Sequence, residues 1–354
     1  MEHAIDYRAL FTSVSPADVS ACKANENLKN PAAEKQRIAR IVPIIVAGAL
    51  SALLLASAVI PALIAIATGI VTIASPVELM TALAPVVITV VCIVLIVNAV
   101  QRSRSAWKDR VRMTRFSHAN ALLYASESPG PRYPGAIFDL GSARRVTDNF
   151  RAATGRYLNF GNYTYTVGSG KNRSVHRWGF LALRLDRNLP HMVLDSRANN
   201  GLWGSTNLPA VFAREQVLSL EGDFDRHFTL YCPIEYERDA LYVFTPDLMA
   251  LLIDEAAPFD VEIVDEWIFV YSHRHFALAD AATYQRLLRI VSTVGAKTLT
   301  QTDRYVDERV GEFSANLVAP EGRRLRRRFS WISAVIIALM LMVWGVGIVD
   351  PFAN

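Results

Sequence analysis

Three stretches of this chain carry no charged residue: Ile41 to Val77, Leu79 to Gln101 and Phe329 to Val349. A bilayer core about 30 Å thick is crossed by about 20 apolar residues of helix, so each stretch is long enough to span it. A soluble protein is thereby excluded. The first stretch exceeds what one span needs but cannot hold two spans and a turn, and its breakers before Ser75-Pro76 are Pro43, Gly48, Pro61 and Gly69. It reads as one long helix over 41–74, tilted or kinked at Pro61. Ser75, Pro76 and Glu78 turn the chain into a second helix over 79–101. A third follows at 329–349, with Trp331 and Trp344 near its ends, where interfacial aromatics belong.

Charge sets the orientation. Lys35, Arg37 and Arg40 precede the first span, Arg102, Arg104 and further cations up to Arg115 follow the second, and Arg323, Arg324, Arg326, Arg327 and Arg328 precede the third. Short loops rich in Lys and Arg stay cytoplasmic, and all three clusters fall on one side. The opposite side receives Glu78 and Asp350. The expectation is a multi-pass cell-membrane protein with a cytoplasmic N-terminal segment over 1–40, basic juxtamembrane segments at 102–117 and 321–328, a cytoplasmic domain over 118–320, and the C terminus outside. The leader is expected to be retained, because the apolar stretch behind it is far longer than a signal-peptide core of about 7–15 residues. Cys22, Cys92 and Cys232 are too few to staple a domain, which agrees with a reducing compartment. Between 116 and 320 acidic residues outnumber Lys and Arg, so the domain has no basic footprint for nucleic acid.

Within 118–320 the apolar period changes from 2 to 3.6 along the chain. Asn162 to Val167 and Val175 to Leu185 form a hairpin around Gly168–Asn172, His191 to Asp195 a further strand bounded by Pro190, and Phe228 to Tyr231 a half-buried strand. Thr245-Pro246-Asp247 opens a helix that stops before Pro258, with Thr245 as its cap. Val261 and Ile263, then Ile268 and Val270, flank Asp265-Glu266 as a second hairpin. A helix from Ala281 puts Tyr284, Leu287, Leu288, Val291 and Val294 on one face, interrupted at Gly295 before the stripe resumes at Tyr305. The class is α+β: an antiparallel sheet with helices, attached to three transmembrane α-helices.

The runs His191-Met-Val-Leu-Asp-Ser-Arg-Ala-Asn-Asn200, Leu218-Ser-Leu-Glu-Gly-Asp-Phe-Asp225, Tyr236-Glu-Arg-Asp-Ala-Leu-Tyr-Val-Phe-Thr-Pro246 and Phe259-Asp-Val-Glu-Ile-Val-Asp265 resemble an uncharacterised family of actinobacterial multi-pass membrane proteins. Their succession of acidic turn, strand and Thr-Pro helix is similar to a wider bacterial domain of unknown function next to a transmembrane hairpin. The resemblance implies an architecture and no catalytic residues.

Several segments bear on chemistry. Gly168-Ser-Gly-Lys-Asn172 lacks the leading Gly and the Ser/Thr of a phosphate-binding loop and reads as a hairpin turn. Asp223, Asp225 and His227, joined by His273 and His275, are the set a metal-assisted hydrolase would need, although two imidazoles at i and i+2 are not a site by themselves. Cys232 reads as a buried thiol. The loop Ser196–Asn207 surrounds Leu202 and Trp203 with Asn199, Asn200 and Asn207, and loops of this length often bind. No cofactor and no metal is expected. The favoured reading is a membrane-tethered module that binds a protein or small ligand through the sheet and the Asn199–Asn207 loop, with Arg102, Arg104 and the Arg323–Arg328 cluster meeting lipid headgroups. The alternative is the hydrolase. A transporter is disfavoured, since neither of the first two spans holds an ionisable residue.

Overall fold

A computed structural model of the chain describes residues 5–29, most of 39–69, 76–200, 206–278, 280–311 and 316–327. The span expected at 329–349 lies outside the described residues. The chain divides into two compact units, Asp6–Phe116 and a second that begins at Ser117.

In the first unit, helices α1 (Arg8–Phe11) and α2 (Pro16–Lys29) occupy the leader. Helix α2 starts at a reciprocal cap: Ser15 N–H donates to Asp18 Oδ2 (2.9 Å), Asp18 N–H donates to Ser15 Oγ (3.2 Å), and Pro16 fills the first position, which needs no donor. Helix α3 (Ile60–Ala67) closes at Gly69, whose positive φ of 71° lets the chain leave the helix. Ahead of Pro61 the backbone widens into a π-type turn at Ala56–Ser57, as expected where a ring nitrogen cannot donate.

Helix α4 (Pro76–Ala119) runs for 44 residues. It contains the one stretch among the described residues that is helical, long and apolar enough to cross a membrane. Val87, Val90, Val91, Val94 and Leu95 are each at least half exposed around its circumference, the pattern of a helix made for lipid. The basic segment expected after Gln101 is helical too: α4 continues through Arg115 unbroken, because no Gly or Pro falls between Gln101 and Phe116. Its basic end carries α2: Arg115 pairs with Asp18 (2.7 Å), Arg110 with Glu26 (3.2 Å), and Lys23 and Arg110 lie 5.4 and 4.7 Å from the Trp107 ring centre. Further along, a Cβ on Gly48 would meet the Ile96 side chain at 2.7 Å, so only glycine permits that approach.

The second unit is an α+β domain. Seven antiparallel strands, β1 (Leu122–Pro129), β2 (Ser142–Ala152), β3 (Leu158–Val167), β4 (Ser174–Ser196), β5 (Val217–Leu218), β6 (Phe228–Tyr231) and β7 (Asp260–Ser272), form one sheet in the order β1-β2-β3-β4-β6-β5, with β7 also on β4. Helix α5 (Phe224–His227) precedes β6, α6 (Glu237–Val243) and α7 (Pro246–Leu251) follow it, and α8 (Ala281–Ile290), α9 (Ala296–Thr302) and α10 (Pro320–Arg323) come after β7. Tyr284 of α8 meets Phe150 and Phe160 (5.5 and 6.2 Å between ring centres) on one sheet face. The other face buries Tyr133, Phe138, Tyr163, Phe180, Phe269 and Tyr271.

The hairpin around Gly168–Asn172 is present as β3 and β4. Two expected boundaries are not. His191–Asp195 is the second half of β4, which passes through Pro190 without ending, and the expected hairpin at Asp265-Glu266 is one continuous strand, β7. The pairing of β4 with β7 shifts register on both sides of Leu189, and Asp265 opposite it has a φ of 52°. A bulge absorbs both breaker signals, bending two long strands together instead of reversing the chain. Thr245 does precede α7 with extended geometry and Pro246 follows, but its hydroxyl makes no cap bond. Pro246 presets the first turn without it. Beyond α9 the apolar stripe at Tyr305 is not helical; Tyr305 is buried in a loop and donates to Asp239 Oδ1 (2.8 Å).

Candidate functional site

The second half of β4 and the first half of β7 carry acidic groups on the aromatic face of the sheet. The register pairs Val193 with Glu262 and Leu194 with Val261, and the next residues along the two strands are Asp195 and Asp260. Alternate residues of a strand share a face, so Asp195 lies on the side of Val193 and Asp260 on that of Glu262. All three carboxylates are inside the protein: Asp195 is 4% exposed, Asp260 0% and Glu262 1%.

Glu262 is fully satisfied. Its Oε1 accepts from His191 Nε2 (2.8 Å), and its Oε2 accepts from Tyr271 Oη (2.7 Å) and the Ala136 N–H (2.8 Å). The tautomer of His191 follows, because Nδ1 accepts the Leu325 N–H (3.0 Å) and the ring proton must sit on Nε2. Burial and the neighbouring carboxylate keep Tyr271 a phenol, far above its ordinary range.

Through His191 the network reaches the basic segment at 323–327. Arg324 forms a two-pronged pair with Asp265 (2.8 and 2.9 Å), Arg323 donates to Val318 O (2.8 Å), and Gln216 bonds the Arg326 backbone in both directions (2.8 and 2.9 Å). Arg327 bridges to Phe212, and Gly322 lies so close to the Tyr236 ring that no side chain fits. The segment is therefore a strap laid on the domain. Of the arginines expected at lipid, Arg102, Arg104, Arg323, Arg326 and Arg327 are exposed, the guanidinium of Arg324 is taken by Asp265, and Arg328 lies outside the described residues.

Asp195 and Asp260 are less well served. Asp260 Oδ1 accepts from the Ser196 N–H (2.8 Å) and Asn199 Nδ2 (3.1 Å), but Oδ2 is buried with no donor. Asp195 accepts from Thr206 Oγ1 (2.9 Å) and from the Asn200 amide, placed to donate at 3.2 Å. Asn207 donates to the Asn199 carbonyl, and the Asn199 amide oxygen is buried without a donor. Burial and the charge of Asp195 push Asp260 up to about 7, and burial raises Asp195 as well. Asn199, Asn200 and Thr206 thus turn inward onto two carboxylates. Leu202 and Trp203 lie outside the described residues.

The other chemically suggestive residues are not brought together. Asp225 accepts from Ser219 and the Leu220 N–H in a turn, and Asp223 sits 3.9 Å from a half-buried His227. His227 precedes Phe228, the partner of Ser196 at one end of β4. His273 packs on Trp178 (5.1 Å) and His275 meets Thr164 (3.2 Å), both near the other end. Trp178 and Ser196 are separated by on the order of 50 Å of strand. Burial lowers the pKa of both His273 and His275 and pushes the Cys232 thiol up to about 12, so that thiol is not a nucleophile. Among the described residues no three His, Cys, Asp or Glu side chains form a metal-holding group.

Sequence reading passed over His191, Asp260, Glu262 and Tyr271. Asp260-Val-Glu262-Ile-Val264 did carry a signal: acids at alternate positions of an otherwise apolar strand point to one buried face.

No family model and no curated protein matches the chain. Among solved structures it is similar to the crystal structure of the mycobacterial trehalose monomycolate transport factor A, TtfA, with a TM-score of 0.36 and 12% identity over 53% of this chain and 93% of that one. A similarity this distant transfers no property between the two.

Proposed function

We propose that the chain is a three-span protein anchored in the cell membrane, with the N-terminal segment and the domain on the cytoplasmic side and the C terminus outside. Its domain acts as a binding module, contacting a protein or small ligand through the loop after Ser196. The observation that carries the binding reading is the rooting of that loop: Asn199, Asn200 and Thr206 are tied to buried carboxylates on two strands, which holds its flanks rigid for recognition. The separation of His227 from His273 and His275 weighs against the hydrolase. The span layout is supported by the lipid-type surface of α4, by the contact of Gly48 with Ile96, and by α2 lying on the basic end of α4, which puts the leader on the side of that end. Arg102, Arg104, Arg323, Arg326 and Arg327 are exposed cations that could meet anionic headgroups.

Orientation is tested by single cysteines in a background where Cys22, Cys92 and Cys232 are Ser. In intact cells a membrane-impermeant maleimide is expected to label Glu78→Cys and to leave Asn172→Cys unlabelled until the cells are opened. Labelling of Asn172→Cys from outside overturns the topology. For the binding role, a photo-crosslinking residue in place of exposed Arg197 is expected to give one discrete adduct in native membranes, lost on Asp195→Ala. A smear unaffected by Asp195→Ala, or no adduct, overturns the loop as the contact.

A further inference from the structure

We infer that Asp195, Asp260 and the Asn199 amide oxygen form a binding site for one hard divalent cation of the calcium type, seated at the root of the 196–208 loop. Asp195 and Asp260 follow directly on the Leu194–Val261 pair at the ends of β4 and β7, both are buried, and among the described residues no cationic side chain hydrogen-bonds to either. Arg197 acts on Asp195 only through space and is itself exposed. Burial removes the water that would screen two ionised carboxylates, and a bound cation would neutralise them.

The second observation is independent of charge. Two acceptor oxygens in this place are shielded from solvent and receive no donor: Asp260 Oδ2, on a residue 0% exposed, and Asn199 Oδ1, whose own amide nitrogen is bonded to Asp260. Buried acceptors are almost always paired, and the two orphans belong to residues that hydrogen-bond each other. A metal ion offers positive charge to acceptors alone and fits that place. The surrounding atoms are all oxygen donors, from carboxylate, amide and the Thr206 hydroxyl, with no thiol or imidazole, which selects a hard cation. Calcium accepts irregular sets of six to eight oxygens, whereas magnesium demands a regular octahedron; a set drawn from two strands and a loop suits calcium. The inference does not rest on what the loop contacts.

The test uses the full-length protein in detergent after removal of metal with a chelator. Calcium is expected to bind at one ion per chain by calorimetry and to raise the melting temperature. Asp260→Asn removes one buried carboxylate, so it is expected to melt at or above the cation-free wild type yet lose the calcium response, and Asn199→Ala is expected to weaken binding at least tenfold. Absence of a calcium-dependent shift in the wild type overturns the site. So does an undiminished shift in Asp260→Asn, which places the ion elsewhere.

Discussion

In metal-free protein, Asp260→Asn is expected to stabilise the domain by up to about 4 kcal/mol above pH 7 and to make no difference near pH 4. The carboxyl rises from the ordinary 3.8 to about 7 in the folded state, through burial first and the charge of Asp195 second. A carboxyl held neutral in the fold but ionised in the unfolded chain contributes stability that is complete below about pH 4 and lost as pH climbs to about 7. Three pKa units correspond to about 4 kcal/mol, the difference expected once Asp260 is ionised in both states. The groups acting on it are Asp195, the Ser196 N–H and the Asn199 amide; a new Asn side chain keeps both bonds to Oδ1 and offers its own amide to the unpaired Asn199 oxygen. Denaturant unfolding at pH 5 and pH 8 reads the effect directly. Parallel stability profiles for wild type and variant would mean that Asp260 is already ionised at both values.

Glu262→Ala should cost about 4 kcal/mol, because removing the carboxylate leaves three buried donors unpaired, each at about 1–3 kcal/mol. Here the stranded donors are His191 Nε2, Tyr271 Oη and the Ala136 N–H. The loss should be felt beyond the core. His191 is oriented by Glu262 on one nitrogen and holds Leu325 with the other, so the strap loses an anchor. Trypsin cleavage at Arg324 and Arg326 is expected to quicken in the variant, more than in a variant of equal instability made on the opposite sheet face, such as Leu287→Ala. Equal rates in the two would show that the strap responds only to global stability. Glu262→Gln keeps one acceptor and the shape, and should fall between wild type and Ala.

How far the sequence reaches can be judged on particular residues. The hairpin at Gly168–Asn172 was legible because glycine conformational freedom and period-2 alternation are local properties, as was the helix from Ala281, whose apolar face is written in its spacing. Pro190 and Asp265 misled for the same reason. Each is a local breaker, but a bulge shared by two paired strands accommodates both, and pairing is not written in either strand alone. The cap at Ser15-Pro16-Ala-Asp18 was legible and passed over within a leader read only as polar.

By itself, the sequence determined that the chain holds a helix long and apolar enough for a membrane, that cations gather beside it, and that an α+β domain follows. Hydrophobicity and charge act additively along a contiguous segment, so counting suffices. Only the tertiary structure decided that Asp195 and Asp260 are buried at adjoining strand ends, that Glu262 organises His191 and Tyr271, and that the arginine segment is strapped to the domain. Each of these joins residues tens of positions apart, and their energies come from burial and exact register, which exist only once the sheet has formed.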